Sequence, residues 1–111
     1  MQMNSMSQDI SVETEQGEFV DSPNVSIRDF QRAVYKWMPE EKLKQTHCLQ
    51  FIDDYGDTTF NSLQQPILLE ELKDMVTSSN EPEAREFFGP IIEFLSKYQD
   101  EIRFYVKFYG D

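Results

Sequence analysis

One cysteine and one histidine leave this sequence with little of what most chemical sites are built from. Cys48, standing alone, cannot close a disulfide within the chain or supply a thiolate metal site. In an apolar run its default state is a buried, unreactive thiol. His47 lacks a second histidine, and its neighbour Cys48 would point to the other side of a strand. No Gly-rich loop is available to cradle phosphate, and no serine sits in a nucleophile elbow. Cationic residues are scarce too. Ten Lys and Arg stand against 21 Asp and Glu, a formal charge of −11. Such a surface repels phosphate backbones and anionic lipid, which excludes direct nucleic-acid binding and membrane-surface binding as leading functions. No apolar run reaches membrane-spanning length, and no basic-then-apolar leader opens the chain. A cytoplasmic protein with no membrane association is therefore expected.

What the chain does have is aromatic mass. Nine Phe, five Tyr and one Trp raise the aromatic share to 14%, a load that disordered chains do not carry. A length of 111 residues supports one modest core. Residues 1–24 are polar and read as a mobile or loosely ordered arm. Within it, Ile10, Val12 and Thr14 alternate and Phe19-Val20 follow Gln16-Gly17, which fits either a hairpin over 10–20 or a loose arm. The domain proper is expected over 25–111.

Ser26 with Asp29 fits an N-cap, and Ile27, Phe30, Val34, Trp37 and Met38 share one helical face. Arg28, Arg32 and Lys36 line another as a solvated basic stripe. Pro39 interrupts this helix or starts a further turn through Glu40–Leu43. A second helix is expected from about Pro66 to Val76 on Leu68, Leu69, Leu72, Met75 and Val76. Asn80 with Glu83 reads as the N-cap of a third, which keeps phase across Gly89-Pro90 as one kinked helix. Ile102, Phe104, Val106 and Phe108 alternate strictly, predicting a C-terminal strand at 101–109.

The densest local signal is His47–Gln65. Leu49, Phe51 and Ile52 suit a half-buried strand. Asp53-Asp54-Tyr55-Gly56-Asp57 supplies turn chemistry, with Gly56 able to take a positive φ, and Thr58-Thr59-Phe60 would return antiparallel. These elements make a hairpin over 48–60. The predicted fold is α+β: a small sheet of about three to five strands with three helices packed on one face.

The acids of the turn do not match a metal loop. A calcium loop wants acids or amides at positions one, three and five and Glu at twelve. Starting at Asp53 puts Tyr55 at three and Gln64 at twelve, and starting at Asp54 puts Gly56 and Gln65 there. Phosphoryl transfer to an Asp is opposed by Tyr55 in the second acid position. The sequence thus nominates no catalytic residue, no metal site and no cofactor. What remains is a surface: Asp53, Asp54, Tyr55, Asp57 and Asp111, with Tyr105 and Tyr109 on the outer face of the last strand, gathered at one rim. The two strand tyrosines fit equally well beneath the N-terminal arm. The rim needs the last strand to end near the turn, as it would if it ran parallel to Leu49–Asp53.

Phe51-Ile52-Asp53, Tyr55-Gly56-Asp57-Thr58, Phe60-Asn61 and Leu63-Gln64, followed by Leu68-Leu69-Glu70-Glu71-Leu72 and a final Gly110-Asp111, resemble a pattern in small, acidic, mostly uncharacterised bacterial proteins. Their character is similar to that of immunity proteins that neutralise secreted toxins. The resemblance implies a non-enzymatic protein that binds a basic toxin or effector domain through its acids. The alternative is a structural or regulatory subunit that self-associates, as a homodimer for example, through the Tyr105/Tyr109 face or the Arg28 stripe.

Overall fold

The computed structural model describes residues 9–110. The first eight residues of the expected N-terminal arm and the expected role of Asp111 lie outside them. Of the two alternatives for residues 10–20, the hairpin forms. Strand β1 spans Ile10–Thr14 and β2 spans Phe19–Asp21. Gly17 turns the corner at a φ of +83°, a conformation that costs glycine little. Helix α1 (Ile27–Trp37) begins on Ser26, whose side chain accepts the Asp29 N–H. Asp9 adds a second cap by accepting the Ile27 N–H at 2.8 Å.

One turn of helix, α2 (Glu40–Leu43), follows Pro39. Strand β3 is Asp57–Phe60 and helix α3 is Gln65–Ser79. The corner between them is a reciprocal cap. Asn61 Oδ1 accepts the Gln64 N–H at 3.1 Å while Gln64 Oε1 accepts the Asn61 N–H at 2.9 Å. Helix α4 (Pro82–Tyr98) runs unbroken with Pro90 inside it, and β4 is Phe104–Tyr109.

The sheet order is β2-β1-β4-β3, every neighbour antiparallel. Ile10 lies opposite Phe108 and Val12 opposite Val106, so the two central strands present their most buried residues to the same layer. The helices cover that face. Phe108 meets Phe30 of α1 at 5.2 Å between ring centroids and Phe60 of β3 at 5.8 Å. Phe30 meets Phe88 of α4 edge-on at 5.7 Å, and Leu68, Leu72 and Met75 bring α3 into the same core. This is the expected α+β architecture, with four strands and three longer helices.

Four local expectations are corrected. Leu49–Phe51 is a turn of 3-10 helix, not a strand, so residues 48–60 are not a hairpin. Its burial runs Cys48, Leu49, Ile52 with Phe51 63% exposed, a helical rather than alternating spacing. The cause is Glu71 of α3, whose carboxylate accepts the N–H groups of His47, Cys48 and Leu49 that a strand ladder would have used. The last strand accordingly has no parallel neighbour at 49–53 and pairs antiparallel with β1 and β3. It starts at Phe104 rather than 101, because the Phe104 N–H turns back to the Glu101 carbonyl and leaves Ile102 exposed. Finally, Asn80 closes α3 in the left-handed region (φ 53°) instead of opening α4, whose cap is Glu81.

Candidate functional site

The turn from Asp53 to Thr58 is held on every side. Asp53 Oδ1 accepts the Tyr55 N–H at 2.9 Å, and the Asp53 N–H donates to Thr58 Oγ1 at 3.0 Å. The side-chain amide of Gln31, buried on α1, donates to Asp54 Oδ1 at 2.7 Å and to the Ile52 carbonyl at 3.0 Å. From the other side the Gly110 N–H donates to the Gly56 carbonyl at 3.0 Å.

Both glycines are set by space. A Cβ on Gly56 would lie 2.8 Å from Asp53 Oδ2, and among the described glycines the positive φ belongs to Gly17, so the expected use of Gly56 is corrected. A Cβ on Gly110 would lie 2.5 Å from the Gly56 oxygen, 2.6 Å from its nitrogen and 2.8 Å from the Asp54 oxygen. All three are backbone atoms and cannot swing aside. Gly110→Ala is therefore expected to cost about 1–3 kcal/mol. A urea midpoint that drops at unchanged slope would bear this out, and an unmoved midpoint would refute the packing described.

The chain's end thus meets the turn, by antiparallel pairing through Asp57 opposite Tyr109 rather than by a parallel strand. Of the residues nominated from sequence, Asp53, Asp54, Tyr55 and Asp57 come together on this turn. Asp53 and Asp54 also hold it in shape. Tyr55 is 82% exposed at its tip, and Asp57 is exposed beside it.

Tyr105 and Tyr109 stand on the outer face of the sheet around a buried carboxylate. Glu13 accepts from Ser11 Oγ at 2.6 Å and from the Tyr109 hydroxyl, with Lys107 Nζ 3.7 Å away. Burial, then the hydrogen bond and charge of Glu13, push the Tyr109 phenol up to about 12. It remains a neutral donor tied to Glu13. Tyr105 is half-buried, opposite Glu13 in the register.

The acidic charge is not confined to one rim. Exposed carboxylates also stand on the β1–β2 turn (Glu15, Glu18), on α2 (Glu40, Glu41) and along α4 (Glu83, Glu86, Glu93). The 53–58 turn differs from these in the side-chain hydrogen bonds it receives from α1 and in Tyr55.

Sequence reasoning named Arg28 and Arg32 only as part of a basic stripe and missed Gln31 and Tyr35, which face the turn with them. Arg28, Gln31, Arg32 and Tyr35 line a groove of about 370 Å³ with Asp54 and Tyr55. Tyr35 is 57% exposed, and partial burial, then the Asp54 charge, raise its phenol above the ordinary value. The available signal was Gln31, a polar residue on the apolar arc between Ile27 and Val34.

A second groove, of about 390 Å³, opens between the end of α1 and α3 beside Glu71, Asp74 and Met75. Cys48 is buried, with Sγ 3.6 Å from the Gln64 carbonyl, and burial pushes its thiol up to about 11. Its low thiolate content fits an inert cysteine. Among the described residues no three His, Cys, Asp or Glu side chains are grouped to hold a metal ion, and no helix is long and apolar enough to cross a membrane. Compared with family models, with curated proteins and with solved structures, the chain matches none.

Proposed function

We propose that this chain is a non-enzymatic cytoplasmic binding protein of the immunity type, neutralising a basic toxin or effector domain by direct contact. The observation that carries the reading is Tyr55, a large aromatic side chain 82% exposed on a turn fixed by Asp53, Thr58, Gln31 and Gly110. A tyrosine on an ordered backbone contributes contact area with little ordering entropy left to lose on binding, which is how interface anchors reach high affinity. Tyr35 stands across the groove as a second exposed ring. The formal charge of −11 steers a basic partner toward the protein and raises the association rate more than the final affinity.

The test is affinity for the basic protein that a pull-down with this chain recovers from its native cell; recovery of no basic protein would count against the reading. Tyr55→Ala should weaken binding by about 2 kcal/mol or more through faster dissociation. Asp57→Lys should slow association and flatten its salt dependence, because Asp57 has an exposed carboxylate with no hydrogen bond or ion pair among the described residues. Binding unmoved by both changes would sink the reading. A stable dimer at low concentration in sedimentation, with no effector bound, would favour self-association instead.

A further inference from the structure

The groove between α1 and the turn carries a charge opposite to that of the molecule. Arg28 and Arg32 lie one helical turn apart on its helix wall. Its acid, Asp54, accepts from the Gln31 amide at 2.7 Å and keeps its charge, so two guanidiniums against one carboxylate leave the lining formally cationic. Lys36, one turn further on, stands 3.9 Å from Glu83. Arg32 is exposed and has no hydrogen bond or ion pair among the described residues. A guanidinium with open donors thus lines this groove together with the exposed rings of Tyr35 and Tyr55.

A uniformly basic partner drawn in by the net charge would meet repulsion here. A carboxylate would be taken by the planar fork, which matches its geometry with paired hydrogen bonds.

We propose that the Arg28/Arg32 groove receives a carboxylate side chain set among the basic residues of the protein partner, with Arg32 as its counter-charge and Tyr35 and Tyr55 as its walls. The inference rests on the function proposed above and deepens it. The partner's surface is basic around the turn and carries one acid at this groove. Attraction by net charge alone cannot tell one basic protein from another, whereas a required acid at a fixed position rejects those without it.

Three blocked tripeptides test this on the ¹⁵N-labelled full chain: acetylated, amidated Lys-Glu-Lys, Lys-Gln-Lys and Lys-Lys-Lys, titrated while backbone amide shifts are followed. Lys-Glu-Lys should perturb Arg32, Tyr35 and Tyr55 and bind about threefold to fivefold tighter than Lys-Gln-Lys, the range of an exposed ion pair. Arg32→Gln should erase that preference, and Arg32→Lys should retain part of it. Equal binding of the Glu and Gln peptides, or a preference that survives Arg32→Gln, overturns the assignment. If Lys-Lys-Lys still binds at the turn in that case, the acidic docking surface stands and only the groove's role fails. If none of the three binds, both fail together.

Discussion

Replacing Phe108 with alanine is expected to lower the stability of this protein by about 3–5 kcal/mol, the range for emptying a buried aromatic site. The side chain is fully buried in the strand that joins both halves of the sheet, opposite Ile10 on one side and Thr58 on the other. Its ring touches Phe30 at 5.2 Å and Phe60 at 5.8 Å, so one truncation leaves a cavity among α1, β3 and β4. Domains of this size hold about 5–15 kcal/mol in total, so the variant should be folded only marginally. Phe51→Ala is the matched control. That ring is 63% exposed, and its loss should fall within about 1 kcal/mol. Urea unfolding of the pair decides the matter. A Phe108 variant no weaker than the Phe51 variant would mean that the core does not lie between this sheet face and α1.

The second large effect is at Glu71. Its carboxylate takes three consecutive backbone N–H groups, those of His47, Cys48 and Leu49, and Cys48 and Leu49 are buried. Glu71→Ala leaves these donors without a partner, at about 1–3 kcal/mol for each one that stays dry. A net loss of about 2–4 kcal/mol is expected once water reaches the exposed His47 N–H. Glu71→Gln keeps one acceptor oxygen and should lose about half as much. A local readout accompanies the global one, because the 3-10 turn roofs over Cys48. Labelling of that thiol by an aromatic disulfide should accelerate strongly in Glu71→Ala under native conditions. Unchanged labelling would show that Glu71 does not hold the loop down.

These two residues also explain what was legible in the sequence. Phe108 sits in a strict alternation over Phe104–Tyr109, and a period of two can be read without knowing what the strand packs against. The helical stripes of α1, α3 and α4 are legible for the same reason. Glu71 is different. Its action is on residues 22 to 24 positions earlier in the chain, and no local rule reveals that a carboxylate on α3 will claim three amides from another loop. Leu49 and Phe51 therefore read as strand until the tertiary contact is seen, an instance of context overriding propensity.

The same division runs through the candidate site. The turn chemistry of Asp53–Asp57 was legible, although Gly56 is required there for space and not for a positive φ. Most of the wider pattern around them is now accounted for by the fold. Asn61 and Gln64 cap each other, Glu71 caps the 3-10 turn, and Gly110 packs against the Gly56 backbone. The side chains of Tyr55 and Asp57 have no hydrogen bond or ion pair among the described residues, which is what sets them apart as contacts for a partner. The groove residues Gln31, Arg32 and Tyr35 were not legible as a site, because what makes them one is the approach of Asp54 and Tyr55 from 19 to 24 positions away.

Backbone relaxation of the ¹⁵N-labelled protein tests most directly whether Tyr55 is held ready at the surface. The amides of residues 53–58 should show order parameters near 0.85, as rigid as the central strands. In Gly110→Ala those amides alone should fall toward about 0.6 while the core holds its values. Order parameters already below about 0.6 across the turn of the unmodified protein would contradict the account, since a turn that moves freely cannot present a fixed anchor.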